Sequence, residues 1–169
     1  MIATDHHLLP AGGGRCVDFQ GFGTRYLVDG ERTGGAFALV EHDLAPRSLG
    51  APMHVHERED EISHVLAGRL GVQIGDAVLE AGPGDTVFKP RGVPHAFWNP
   101  GDEPLRFLEV ITPAGFERYF ADLAPHLRAP GPPDVEALGA VMASYGLSMD
   151  MASLPRLVAE HGLNPPPGA

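Results

Sequence analysis

Over most of its first two thirds the chain alternates apolar and polar positions with a period of two, clearest at Gly71–Ile74 and Leu105–Val110. Residues two apart on a strand share a face, so this period marks half-buried strands. Short runs of this kind, separated by Gly, Pro and Asp, predict strands over 24–28, 35–43, 53–56, 61–66, 70–74, 77–80, 86–89, 95–98 and 105–112. Gly75-Asp76 and Gly82-Pro83-Gly84-Asp85 read as tight turns between them, because glycine reaches positive φ without a Cβ penalty. Strands this short and this regularly punctuated fit a sandwich or a small barrel.

Past Pro113 the period lengthens toward 3.6, and Phe116, Tyr119, Phe120 and Leu123 fall on one face of a helix predicted over 114–128. Pro130 to Pro133 interrupt it. A second helix is expected over 134–145, with Val135, Leu138, Val141, Met142 and Tyr145 as its apolar stripe and Gly146 as its stop, and a third over 154–161. Helices this small and amphipathic need a surface to pack on. The expected layout is therefore a leader and first strand over 1–22, a β-barrel over 23–113, helices over 114–163 packed on it as a lid, and a flexible Pro-rich tail over 164–169.

Composition narrows the partners. With 12 Lys and Arg against 22 Asp and Glu, the net charge is −10 with His neutral and no basic cluster interrupts it, so nucleic acid and anionic membrane surfaces are not expected partners. Gly and Pro together make up about 23% of the chain against a usual ~12%, yet 43% of residues are hydrophobic, which indicates many tight turns in a folded domain rather than disorder. The single cysteine, Cys16, excludes an internal disulfide and a thiolate zinc cage, and a free thiol fits a reducing cytoplasm, the expected location. Residues 1–15 lack a basic start followed by an apolar run, and no segment approaches the ~18 apolar residues of a membrane span. His6 and His7 are adjacent, but beside Gly12, Gly13 and Gly14 they read as part of the leader rather than as a metal site.

Candidate chemistry lies in two segments. In Met53-His54-Val55-His56 both imidazoles point to the same side of a strand and can converge on one point inside a barrel. Such a pair also arises by chance on polar strand faces. Glu61 shortly after it and His95 on a later strand add the carboxylate and third imidazole that a divalent metal needs from separate elements. By strand parity Ser63 and Val65 share the face of Glu61, and Phe97 that of His95, so these line the same interior. His64 faces the other way; it, His42 and His126 are read as polar surface residues. The only lysine, Lys89, has no readable parity relative to His95 across Pro90 and Gly92, and Trp98, Phe88 and Phe107 are read as core.

The pattern His54-x-His56-x4-Glu61-x6-Gly68, followed after 15 residues by Gly84-x5-Pro90-x-Gly92-x2-His95-x3-Asn99, resembles the two motifs of the cupins. One departure is that Ser48 stands where the leading glycine of the first motif is expected, with Gly50 two residues later. The resemblance covers residues 35–113 and implies a mainly β fold, a cupin-type antiparallel β-barrel (jelly roll) with a C-terminal helical tail. It implies one divalent transition metal (Fe, Mn, Ni, Co, Cu or Zn) on His54, His56, Glu61 and His95, and a homodimer. Glu59-Asp60-Glu61 through Gly68, followed after the barrel by Pro113-Ala114-Gly115-Phe116-Glu117-Arg118-Tyr119-Phe120, is similar to single-domain bacterial cupins of the quercetin 2,3-dioxygenase-like group. That likeness implies O2-dependent ring opening of a small enolisable or phenolic substrate, with Glu61 as ligand and base. Separately, Phe116, Tyr119 and Phe120 of the helical tail are expected to close the barrel mouth, Phe116 and Phe120 joining Ser63, Val65 and Phe97 as substrate-pocket residues. Two other classes remain open on the same residues: a non-redox isomerase, cyclase or lyase, and a small-molecule-binding module without turnover.

Overall fold

The computed structural model describes residues 8–19, 21–129, 131 and 134–165. The His6–His7 pair, the prolines at 130, 132 and 133, and the tail from residue 166 onward lie outside the described residues. The strands are β1 (Cys16–Phe19), β2 (Phe22–Val28), β3 (Ala38–Leu44), β4 (Leu49–His56), β5 (Asp60–Ala67), β6 (Leu70–Ile74), β7 (Ala77–Ala81), β8 (Thr86–Lys89), β9 (His95–Trp98), β10 (Leu105–Thr112) and β11 (Leu147–Met149). They form two antiparallel sheets, ordered β1-β2-β3-β10-β5-β8 and β11-β4-β9-β6-β7. The arrangement is a jelly roll. Among the described residues no ladder joins one sheet to the other, so the expected barrel is a two-layer shell rather than a hydrogen-bonded cylinder. The Gly82–Asp85 turn makes the crossing from β7, at one edge, to β8, at the edge of the facing sheet; Gly84 there has φ 93°.

Between the sheets, inward side chains form one core that includes Tyr26, Val40, Val65, Val72, Phe97, Phe107 and Ile111. Burying an apolar side chain of this size contributes about 1.5–3 kcal/mol. The strand β4 begins at Leu49, earlier than its alternation suggested, because Gly50 lies inside it against Phe97: a Cβ there would fall 2.1 Å from the ring. A close approach, not a turn, requires glycine at that position.

Three other expectations are corrected. Phe88 faces solvent at 55% exposure, since Val87 and Lys89 take the inward positions of β8. His42 is buried rather than superficial: its ring stacks on Phe22 at 4.8 Å, meets Phe120 at 4.9 Å, and hydrogen-bonds Thr24 Oγ1 at 3.0 Å through Nδ1. Val135 lies on the exposed side of its helix. His64, by contrast, sits at the sheet surface beside Thr86, as its parity requires.

The C-terminal segment opens with a 3-10 turn at Phe116–Arg118 and continues as α1 (Tyr119–Arg128), α2 (Val135–Ser144) and α3 (Ser153–His161). Asp134 caps α2 by accepting from the Ala137 N–H at 3.0 Å, and Gly162 ends α3 in the left-handed conformation. The apolar face of α1, through Tyr119, Phe120 and Leu123, joins the core between the sheets. Against the outside of the second sheet, Leu157 of α3 packs with Trp98 and Ala96, and His161 stacks on Trp98 at 3.9 Å. No helix among the described residues is long and apolar enough to cross a membrane.

Burial pushes the His42 imidazole down to about 3 from 6.5. Between those values the unfolded chain binds a proton that the folded one refuses, so stability falls as pH drops below 6.5, by up to about 1.4 kcal/mol per pH unit. Urea unfolding at several pH values should show this slope, and His42→Gln should reduce it, leaving the share of the buried His54 and His56; equal slopes in both proteins would contradict the buried neutral assignment.

Candidate metal centre

Every second residue of β4 from Pro52 to His56 is buried, which turns His54 and His56 inward from adjacent inward positions of one strand. His95 heads β9 and pairs in register with His54; Glu61 lies near the start of β5 on the facing sheet, opposite Lys89 of β8. The two sheets thus meet at four polar side chains. His54, His56, Glu61 and His95 are all buried and their ligand atoms lie within 4.8 Å of one another. Donor atoms sharing a metal at about 2.0–2.2 Å sit roughly 3–4.3 Å apart, so the cluster fits one ion with little adjustment. Three imidazoles and one carboxylate suit a first-row divalent metal and do not choose among them.

Hydrogen bonds fix two of the imidazoles for this use. His54 Nδ1 lies 2.8 Å from the Pro52 carbonyl and His95 Nδ1 lies 3.1 Å from that of Val93. A carbonyl only accepts, so both rings donate from Nδ1 and turn a bare Nε2 to the centre. His95 Nε2 is buried with no hydrogen-bond partner, 3.3 Å from Glu61 Oε2. Both ring nitrogens of His56 are likewise buried and unpartnered, with Nε2 3.5 Å from Glu61 Oε1. Burial holds the His54 imidazole well below its ordinary range and pushes that of His56 down to about 4, so both are neutral and free to ligate at neutral pH.

Beneath the cluster lies a group that parity left unassigned. Lys89 is fully buried, with Nζ 2.9 Å from Glu61 Oε2 and 3.1 Å from Glu109 Oε1; Ser63 Oγ donates to Glu109 Oε2 at 2.9 Å. Although burial opposes ionisation of Glu61, the Lys89 cation and the neighbouring imidazoles hold its carboxyl well below the usual range. Glu109 is pushed up to about 7, chiefly by burial. Lys89 occupies Oε2 of Glu61 and leaves Oε1 as the oxygen free of lysine. Glu109 carries no motif signal and is not among the residues singled out from the sequence; its place in the alternation of β10, two residues from the buried Phe107, is the signal that could have found it.

The expected pocket residues are all interior. Phe116 touches the cluster directly, its ring 4.3 Å from that of His56 and perpendicular to it; Phe120 sits further in, 5.7 Å from Phe116. Ser63 is held by Glu109, Val65 is in the core, and Phe97 lies under Lys89 at 5.2 Å. Beside Phe116, Tyr119 stacks at 4.9 Å and Tyr145 completes an aromatic wall. The short strand β11, which the sequence pattern did not reveal, pairs Leu147 with His56 and Met149 with His54, and so braces the strand that carries both histidines. A groove of about 570 Å³ is lined by Gln73, Asp76, Met149 and Arg156 among others, and includes His54 in its wall.

Residues 40–111 match the family model described as "Cupin domain". A stretch of 80 residues, 44% of this chain, is 34% identical to germin-like protein 3-7 of Oryza sativa subsp. japonica, and it spans about a third (34%) of that protein's length. The fold is similar to the polyketide cyclase RemF from Streptomyces resistomycificus, with 30% identity over 62% of this chain and 78% of that one and a TM-score of 0.53. This chain belongs to the cupin superfamily. A predicted oxalate decarboxylase from Thermotoga maritima, 24% identical, shares the cupin fold over 62% of this chain and 97% of its own, with a TM-score of 0.56. The four clustered side chains are, among the described residues, the positions at which this chain could hold a metal.

Proposed function

We propose that this cupin is a metal-dependent enzyme acting with O2 on a small enolisable or phenolic substrate, in the manner of quercetinase-like dioxygenases. The observation that carries the reading is the buried His54, His56, Glu61, His95 cluster, with Nε2 of His54 and His95 bared by backbone hydrogen bonds. A divalent metal held there supplies the charge that acidifies a substrate hydroxyl and the redox partner for O2. The chain's own groups supply the rest. Glu61 Oε1, free of Lys89, accepts the hydroxyl proton; the ion pair keeps that carboxylate ionised but makes it a weak base, so the transfer relies on the acidity that a bound metal would give the hydroxyl. Phe116, Tyr119 and Tyr145 give a planar substrate an apolar wall and keep water from the site.

The similarity to RemF supports a second reading, a non-redox cyclase or isomerase in which the metal acts only as a Lewis acid. The two are separated by O2. Metal-reloaded protein incubated with a panel of flavonols and other enolisable phenolics is expected to consume O2 in step with substrate loss. Bound metal with no O2 uptake, together with O2-independent conversion of a substrate, would establish the Lewis-acid reading instead.

A further inference from the structure

Two of the three clustered histidines take their orientation from backbone carbonyls, Pro52 for His54 and Val93 for His95. His56 has no such partner, and both its ring nitrogens are buried without a hydrogen bond. Facing its Nδ1 at 3.9 Å is Oε2 of Glu59, which is also buried and also unpartnered; the Glu59 side chain is 6% exposed. The other Glu59 oxygen lies 3.7 Å from Nε of the exposed Arg58. A buried polar atom left without a hydrogen bond costs about 1–3 kcal/mol, so two of them facing each other need a reason to persist.

We propose that Glu59 is the positioning residue of His56, accepting from its Nδ1–H so that Nε2 is the bare nitrogen turned to the metal. This rests on the reading of the cluster as a metal centre. The contact forms by closure of the gap to about 2.8 Å or through one bridging water. Glu59 then does for His56 what the Pro52 and Val93 carbonyls do for its neighbours, with the added effect that a carboxylate makes the imidazole a stronger donor to metal. Glu61 remains the ligand, and Glu59 stands behind the ring on its far side.

The test uses Co(II) as the metal, titrated against a competing chelator, together with 15N NMR of the histidine ring nitrogens in metal-free protein. Glu59→Ala is expected to weaken Co(II) binding about 10- to 100-fold, and to remove the preference of His56 for a proton on Nδ1. Glu59→Gln, whose amide oxygen still accepts, should recover most of both. Unchanged Co(II) affinity and unchanged His56 tautomer in Glu59→Ala would overturn the proposal, as would a Glu59→Gln variant no better than Glu59→Ala. If wild-type protein binds no Co(II) while the tautomer still depends on Glu59, the positioning role stands and the metal reading fails.

Discussion

His95→Ala is expected to strip the protein of stoichiometric metal, with an affinity loss exceeding the roughly 10- to 100-fold typical of losing an outer hydrogen-bonding partner. His95 is the single inward histidine of the second motif, heads β9, and stands in register with His54. Its loss leaves both remaining imidazoles on one strand, β4, and Glu61 alone on the facing sheet. Three donors on this geometry no longer enclose an ion. The fold should survive, since Trp98 and Ala96 anchor β9 under α3 independently of the imidazole. Elemental analysis after gel filtration measures the effect, with His64→Ala, on the outer face beside Thr86, as the control expected to retain full metal. Glu61→Gln should keep part of the metal and lose turnover. Full occupancy in His95→Ala would show that the metal, if bound, lies elsewhere.

Lys89→Met is expected to destabilise the protein by about 3–5 kcal/mol, the range for breaking a buried ion pair from one side. The lysine is 2% exposed and lies between two buried carboxylates, Glu61 and Glu109. Without it they confront each other with only Ser63 and the imidazoles to answer them. Adding Glu109→Gln removes one of those charges, and the double variant should recover much of the loss, because methionine fills the stem volume and the amide still accepts from Ser63. Urea midpoints of the single and double variants measure it. A Lys89→Met protein as stable as wild type would mean that one carboxyl is already neutral. Fresh metal binding to Lys89→Met should also strengthen, since a cation near the centre repels another.

The pairing of His54 with His56 and their inward direction were legible in the sequence, because a strand's two-residue period is a local property of the backbone. So were the turn at Gly84 and the stop at Gly146, both at positive φ. Adding Glu61 and His95 required only that a metal draw on separate strands, a constraint of coordination chemistry that motif spacing reports directly. Phe88 and His42 were misread for a shared reason: residue type is a weak guide to which face of a strand points inward when the strand is four residues long or carries a bulge, as β8 and the β2–β3 pair do. The three-residue β11 was invisible because it has no period of its own and exists only by pairing with β4.

The sequence by itself determined most of the element types, the inward histidines and the ligand set they offer a metal, since each follows from short-range periodicity and ligand preference. The tertiary structure alone decided what surrounds them. Lys89 meets Glu61 and Glu109, and Phe116 covers His56, across separations of 20 to 60 residues. Such contacts are set by how two sheets and a helical tail fold over one another. Their energies depend on burial and distance, which no local pattern encodes.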